Sequence, residues 1–261
     1  MAPLCVVQNV LEDNNMIPIV EIYPTCQMEG PFLGTPALFV RVGGCDLRCR
    51  FNGECCDTPY AVYTPKQLDV KNPKLKYGYD KWDQLTSEQL TFKIAEQAIK
   101  HIVFTGGHPM LYQGDLIAVI EQLNALYTHR PYTFEFETQG TIAVHHLLSE
   151  ARNVFFNVSV KLKSSNQEDG YDGKRINVVA LNSFPESRSV YKFVISDPKN
   201  DLNEIEQILQ HRKLLTYLMP QGMTRDEVLR NSEEVIRLCI EYNFKFTPRE
   251  HVNVWDSKKG V

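Results

Sequence analysis

The chain has 261 residues, 43% of them apolar, and 28 Lys and Arg against 32 Asp and Glu give a net charge of -4. That is enough for a sizeable core, in one large α/β domain or two small ones. No run approaches the roughly 18 apolar residues of a membrane span, the opening stretch MAPLCVVQNVLEDNN has neither a basic leader nor a long apolar segment, and no Lys/Arg block is set out to track phosphates. A membrane and nucleic acid are therefore excluded as expected partners, and a cytoplasmic location is expected.

In chain order, IPIVEIY (17–23) and PALFVRV (36–42) read as strands, the second running into a cysteine-rich loop. A polar, aromatic-rich excursion follows, with no steady period. Regular alternation then begins. SEQLTFKIAEQAIK reads as a helix, opened by Thr86 and Gln89 at capping-box spacing. HIVFTGG is a buried strand, QGDLIAVIEQLNALY a helix, YTFEFET a strand, TIAVHHLLSEA a helix and NVFFNVSVKL a strand. A second polar excursion, about KSSNQEDGYDGKR, reads as a long loop. SVYKFVIS, DLNEIEQILQHR, LLTYLMP, TRDEVLRNSEEVIRLCIEYN and FKFTPREHV resume the pattern. About six strand–helix repeats fit a doubly wound sheet or a complete or partial β/α barrel, and in both the chemistry gathers at the C-terminal ends of the strands. Cys45, Gly106 with Gly107, Glu137 with Thr138, Ser159 with Lys161, and Gln221 all fall at such ends.

GGCDLRCRFNGECCDT (43–58) carries four of the seven cysteines. An odd count without a secretion signal argues against a disulfide framework and for metal or redox chemistry. No second Cys pair follows at the distance a zinc site usually needs, although structural zinc and metal-free thiols remain alternatives. Three thiolates on one loop suit a [4Fe-4S] cluster with one iron left open for a substrate or cofactor.

These residues resemble the radical S-adenosylmethionine (SAM) enzymes, which typically carry Cys-x3-Cys-x2-Cys after the first barrel strand. More closely, the chain is similar to the 7-carboxy-7-deazaguanine synthase family, with its Gln-Gly-Glu-Gly…Gly-Cys-Asn-Leu-Arg-Cys-x-x-Cys-Asp-Thr pattern. Here stand Gln27, Met28, Glu29, Gly30, then Gly44, Cys45, Asp46, Leu47, Arg48, Cys49, and finally Cys56, Asp57, Thr58. The likeness continues in order through FTGGHPML, ETQGT, VSVKL, YKFVIS, LMPQG and PREHV. Three departures stand out. Six residues instead of two separate Cys49 from the Cys-Asp-Thr element, so Cys55 and Cys56 compete for the third ligand place, with Cys56 favoured by the residues that follow it. His108 replaces the glutamate of the family's Gly-Gly-Glu-Pro, and Val160 replaces the proline of its Ser-Pro-Lys.

The resemblance implies a single radical SAM domain over 1–261, a partial β/α barrel with parallel strands and insertions near 60–85 and 163–187. It also implies a reaction: SAM, reduced by the cluster, yields a 5′-deoxyadenosyl radical that takes hydrogen from 6-carboxy-5,6,7,8-tetrahydropterin, and ring contraction with loss of ammonia gives 7-carboxy-7-deazaguanine, a queuosine-type precursor. By residue, it implies cluster ligation by Cys45, Cys49 and Cys56, and Mg2+ at Thr58. It puts SAM at Thr105, Gly106, Gly107, Ser159, Lys161 and Gln221, and substrate at Gln27, Glu29, Arg41, Glu137 and His251. An electron donor such as flavodoxin and a homodimer are implied as well. Taken singly, Arg41, Glu137 and His251 have purely structural readings; their order with the other motifs favours function. An activase of a glycyl-radical partner would not need Gln27, Glu29 or the PREHV segment, and a non-catalytic iron-sulfur protein would tolerate the widened cysteine spacing.

Overall fold

Strands in which apolar and polar residues alternate have to hide one face, and helices between them are the natural cover. The computed structural model describes residues 16–51, 54–64, 66–67, 82–126, 131–165, 170, 172–256 and 258, and shows that arrangement. Much of the first expected insertion, near 60–85, lies outside these residues.

The principal sheet contains β1 (Ile17–Cys26), β2 (Pro36–Val42), β5 (Asp83–Leu85), β6 (His101–Gly106), β7 (Thr133–Thr138), β8 (Val154–Val158), β9 (Ser189–Ile195), β10 (Leu215–Pro220) and β11 (Lys245–Phe246). Their spatial order is β11-β10-β9-β8-β7-β6-β2-β1-β5, and β11 and β5 end the sheet unpaired with each other. From β2 to β11 every neighbouring pair is parallel. β1 runs antiparallel to β2, and β5 antiparallel to β1. The result is an unclosed, mainly parallel barrel of six crossovers with an antiparallel edge.

Helix α1 (Pro59–Val62) follows the cysteine loop, and the six crossovers carry α2 (Ser87–Ala95), α3 (Gln113–Leu126), α4 (His146–Glu150), α5 (Val178–Ser183), α6 (Pro198–His211) and α7 (Arg225–Tyr242). A last helix, α8 (Glu250–Trp255), follows β11. The expected Thr86–Gln89 capping box closes in both directions. Helix α6 begins at Pro198, earlier than its periodicity suggests, because the Asp201 carboxylate accepts from the Ser196 and Asp197 N–H groups, each at 2.9 Å. Helix α4 is shorter than TIAVHHLLSEA predicts. Tertiary partners claim the backbone of the preceding turn: Val144 N–H donates to Ser183 Oγ at 2.8 Å and Thr141 O accepts from Asn177 Nδ2 at 2.9 Å. The second expected insertion contains α5, capped by Asn177.

Strand parity sorts the side chains. Leu38, Val40, Phe104, Phe134, Phe136, Phe156, Tyr191 and Phe193 join one core with Leu90, Leu116, Ile205 and Val235 of the helices. The aromatic rings run across the sheet in contact, with centroids 5.1 Å apart for Phe104–Phe136 and 5.7 Å for Phe136–Phe156. The alternate positions, among them Arg41, Thr105, Glu137 and Lys192, face the opposite side and line a cavity.

Helix α7 owes its start to a second capping box, in which Thr224 accepts from Glu227 N–H and the Glu227 side chain returns to the Thr224 backbone. Thr224→Ala should lower the unfolding free energy by about 1 kcal/mol. Urea titration should show this as a lower midpoint with an unchanged slope.

Candidate active site

The cysteine loop begins where β2 ends. Gly43 N–H donates to Pro18 O at 2.8 Å and Gly44 N–H to Ala61 O at 2.7 Å, which turns the chain over the rim. The residues after Cys49 form a hairpin of β3 (Arg50–Phe51) and β4 (Glu54–Cys55), with Arg50 opposite Cys55. One step further out, Cys56 N–H donates to Cys49 O at 3.1 Å. Opposed residues of an antiparallel pair share a face and their neighbours take the other. Cys49 and Cys56 therefore fall on one side of the hairpin, and Cys55 on the other with Arg50. The widened spacing is closed by the insertion itself.

Burial pushes the Cys45 thiol up to about 12, with Cys49 adding to the rise. Cys56 is raised by burial first, then by the Asp57 carboxylate, Cys49 and Cys45. Cys45 Sγ accepts from Leu47 N–H at 3.4 Å and from Gln139 Nε2 at 3.5 Å. Among the described residues no three His, Cys, Asp or Glu side chains converge on one point as a single metal ion would require.

Beside this loop lies the turn after β6, which admits no side chain. A Cβ on Gly106 would meet Val42 O at 2.2 Å, and one on Gly107 would meet Gly44 O at 1.9 Å and Ala61 O at 2.7 Å. Gly106 also has φ 125°, a backbone that favours glycine. Gln139 Nε2 donates to Gly107 O at 2.8 Å, and Thr105 Oγ1 to Glu137 Oε2 at 2.6 Å. Further round the rim, Ser159 N–H donates to Thr138 O at 2.7 Å, Lys161 Nζ to Ser159 Oγ at 3.0 Å, and Gln221 N–H to Ile195 O at 3.0 Å.

The facing wall is charged. Glu29 Oε2 lies 2.5 Å from Lys192 Nζ, and Glu29 Oε1 lies 3.5 Å from Arg249 Nε and 3.6 Å from His251 Nδ1. Burial alone would raise the Glu29 carboxyl, but Lys192 first, then Arg249 and His251, hold it down to about 2. Lys192 also faces Glu137 Oε1 at 3.8 Å, and Arg249 donates to Asp57 and to Gly222 O. Burial lowers His251 from its ordinary value, with Glu29 opposing the fall. The PREHV segment is bound back to the QMEG loop, since Glu250 N–H donates to Met28 O at 3.2 Å and Gly30 N–H to Thr247 Oγ1 at 2.7 Å.

The site residues that the resemblance implies all line one cavity of about 560 Å³, and the rival thiol Cys55 borders it too: Cys45, Cys49, Cys56 and Thr58; Thr105, Gly106, Gly107, Ser159, Lys161 and Gln221; Gln27, Glu29, Arg41, Glu137 and His251. Gln27 and Arg41, like Glu29, Thr105 and Lys161, are engaged within the protein. Gln27 donates to Glu135 Oε2 at 2.8 Å and accepts from the Met28 and Glu29 N–H groups, so it aims Glu29. Arg41 donates to Glu21 Oε1 at 2.6 Å and to Tyr23 Oη at 3.0 Å. The sequence reading missed Lys192, Arg249 and Gln139. Lys192 had a signal, a lone cation in the apolar strand SVYKFVIS. Arg249 and Gln139 had none beyond their place in shared motifs.

No family model matches the chain. Among curated proteins, a 7-carboxy-7-deazaguanine synthase of Halobacterium salinarum is 32% identical, over 94% of this chain and 92% of that protein. The chain belongs to the 7-carboxy-7-deazaguanine synthase family. The Escherichia coli 7-carboxy-7-deazaguanine synthase is 29% identical over 86% of this chain and 90% of its own length. In fold, the crystal structure of QueE from Escherichia coli matches with a TM-score of 0.65 at 24% identity, covering 89% of this chain and 93% of that one. Streptococcus suis SuiB, in a structure bound to S-adenosylmethionine, shares the fold with a TM-score of 0.50 at 11% identity, over 78% of this chain and 48% of that one. Membership of this synthase family makes the chain an enzyme and the cavity its candidate active site.

The depressed Glu29 carboxyl, about 2 against an ordinary 4.5, adds stability that is present in full above the ordinary value and is lost as pH falls toward the folded one. Urea midpoints should therefore fall more steeply for wild type than for Glu29→Gln between about pH 5 and about pH 3. Equal slopes would mean that the cations do not hold this carboxylate.

Proposed function

We propose that the chain converts 6-carboxy-5,6,7,8-tetrahydropterin to 7-carboxy-7-deazaguanine with loss of ammonia, as a single radical SAM domain acting in this cavity. The observation that carries the reading is convergence: family motifs spread from residue 27 to residue 251 border one cavity. The donor chemistry fits the cofactors. Three thiols, two of them on one face of the hairpin, suit the soft irons of a [4Fe-4S] cluster. The glycine turn gives SAM a backbone to approach closely. When bound, the pair would supply one-electron reduction and a carbon radical able to remove a hydrogen atom from the substrate.

The chain's own residues then hold and orient. Cys45, Cys49 and Cys56 are the cluster ligands. Thr105, Gly106, Gly107, Ser159, Lys161 and Gln221 surround SAM. Glu29 and Glu137 offer carboxylates to the guanidine-like edge of the pterin, while Arg41 and His251 offer cationic or N–H donors to its carboxylate. Lys192 and Arg249 keep Glu29 ionised, so that it accepts rather than donates. Gln27 serves by fixing Glu29. Thr58, beside the last ligand, gives a hard oxygen donor for Mg2+. The family resemblance supports an electron donor such as flavodoxin, a homodimer and a cytoplasmic location. Among the described residues no helix is long and apolar enough to cross a membrane.

Anaerobic incubation with reductant, SAM and the carboxypterin should give the deazaguanine. SAM cleavage without that product would transfer the chain to another radical reaction, and no turnover at all would overturn the reading. Single replacement of Cys45, Cys49 or Cys56 by Ala should abolish cluster uptake in anaerobic reconstitution, while Cys55→Ala retains it. Loss with Cys55→Ala but not with Cys56→Ala would reverse the ligand assignment.

A further inference from the structure

The residue after the first cluster cysteine and the residue after the glycine pair are far apart in sequence, yet they touch. His108 Nδ1 stands 2.6 Å from Asp46 Oδ1. The imidazole is fully buried and does not border the cavity. Its other nitrogen meets Thr138 Oγ1 at 2.8 Å, and Thr141 Oγ1 donates to Asp46 Oδ2 at 2.5 Å. A carboxylate at Nδ1 calls for N–H there, and Nε2 pairs with the Thr138 hydroxyl. The bonds join the ends of β2, β6 and β7. The same three ends are linked again by Gln139, through Cys45 Sγ and Gly107 O.

Both positions depart from the family's pattern, Gly-Cys-Asn and Gly-Gly-Glu-Pro. An asparagine and a glutamate would meet as amide donor and carboxylate acceptor. Here the aspartate supplies the carboxylate and the histidine supplies the donor. In this chain the carboxylate thus lies on the cysteine loop and the donor on the glycine turn, and the two loops are bonded.

We propose that Asp46 and His108 are a compensated pair of positioning residues, whose hydrogen bond ties the loop presenting Cys45 to the turn of Gly106 and Gly107 and so sets the spacing between cluster and SAM. The proposal rests on the functional reading above for what the two loops hold. His108 acts through that bond, since its partners and burial keep it from the cofactor.

The test uses four full-length proteins, wild type, Asp46→Asn, His108→Glu and the double variant, each reconstituted without oxygen. Iron content, the SAM dissociation constant from the electron paramagnetic signal of the reduced cluster, and the KM for SAM against kcat are measured, with thermal melts to detect misfolding. His108→Glu alone sets two carboxylates against each other in a buried place and should weaken SAM binding tenfold or more. The double variant should return to within about threefold of wild type, a difference of under about 1 kcal/mol. Wild-type SAM affinity in His108→Glu alone, or a double variant no better than that single one, overturns the pairing. If rescue of SAM binding holds while wild type makes no deazaguanine, the pairing stands and the functional reading fails. If wild type makes the product but the double variant is not rescued, the pairing fails and the functional reading stands.

Discussion

A parallel strand flanked by crossover helices must bury its helix-facing side in apolar contact, and that constraint organises the rest of this molecule. Phe134 and Phe136 meet it on β7, which leaves Glu135 and Glu137 on the other face. On β9, Tyr191 and Phe193 go to the helices and Lys192 to the cavity. On β2, Leu38 and Val40 are core, and Arg41 is not. Charges of both signs thus collect on one side because the pleat offers them nowhere else.

Collected charges need partners, and the partners stiffen the cavity. Glu135 is fully buried and takes hydrogen bonds from Gln27 and, at 3.3 Å, from Asn157 Nδ2, with His101 Nε2 at 3.2 Å. Gln27 in turn fixes the backbone that carries Glu29. A buried carboxylate surrounded by cations stays ionised, whereas an unpaired one would take a proton or unfold its surroundings. The C-terminal segment belongs to the same unit: Arg249 reaches both Glu29 and Asp57, so the tail bears on the residue next to Cys56. Synthase chemistry on a charged pterin calls for such a wall of fixed dipoles and ions beside the cofactors.

Much of the fold could be read from the chain. PALFVRV fixed β2 to the residue, Thr86 marked a helix start, and the alternating segments marked the order of strands. What escaped was short or borrowed. β3 and β4 span two residues each, too short to carry a periodic signal. Helix α4 lost its first turn to Ser183 and Asn177, partners more than thirty positions away.

Amino-acid order is enough to settle the parity of each strand, the family and many of the side chains that share the cavity, though not Lys192, Arg249 or Gln139, because parity, family and those side chains follow from local periodicity and from motif order. It takes the packed sheet to put Cys56 level with Cys49, to make Gln27 serve Glu29, and to bring Asp46 to His108. Each of those is a contact between groups whose separation along the chain carries no information about distance in space, and only folding brings them within hydrogen-bond reach.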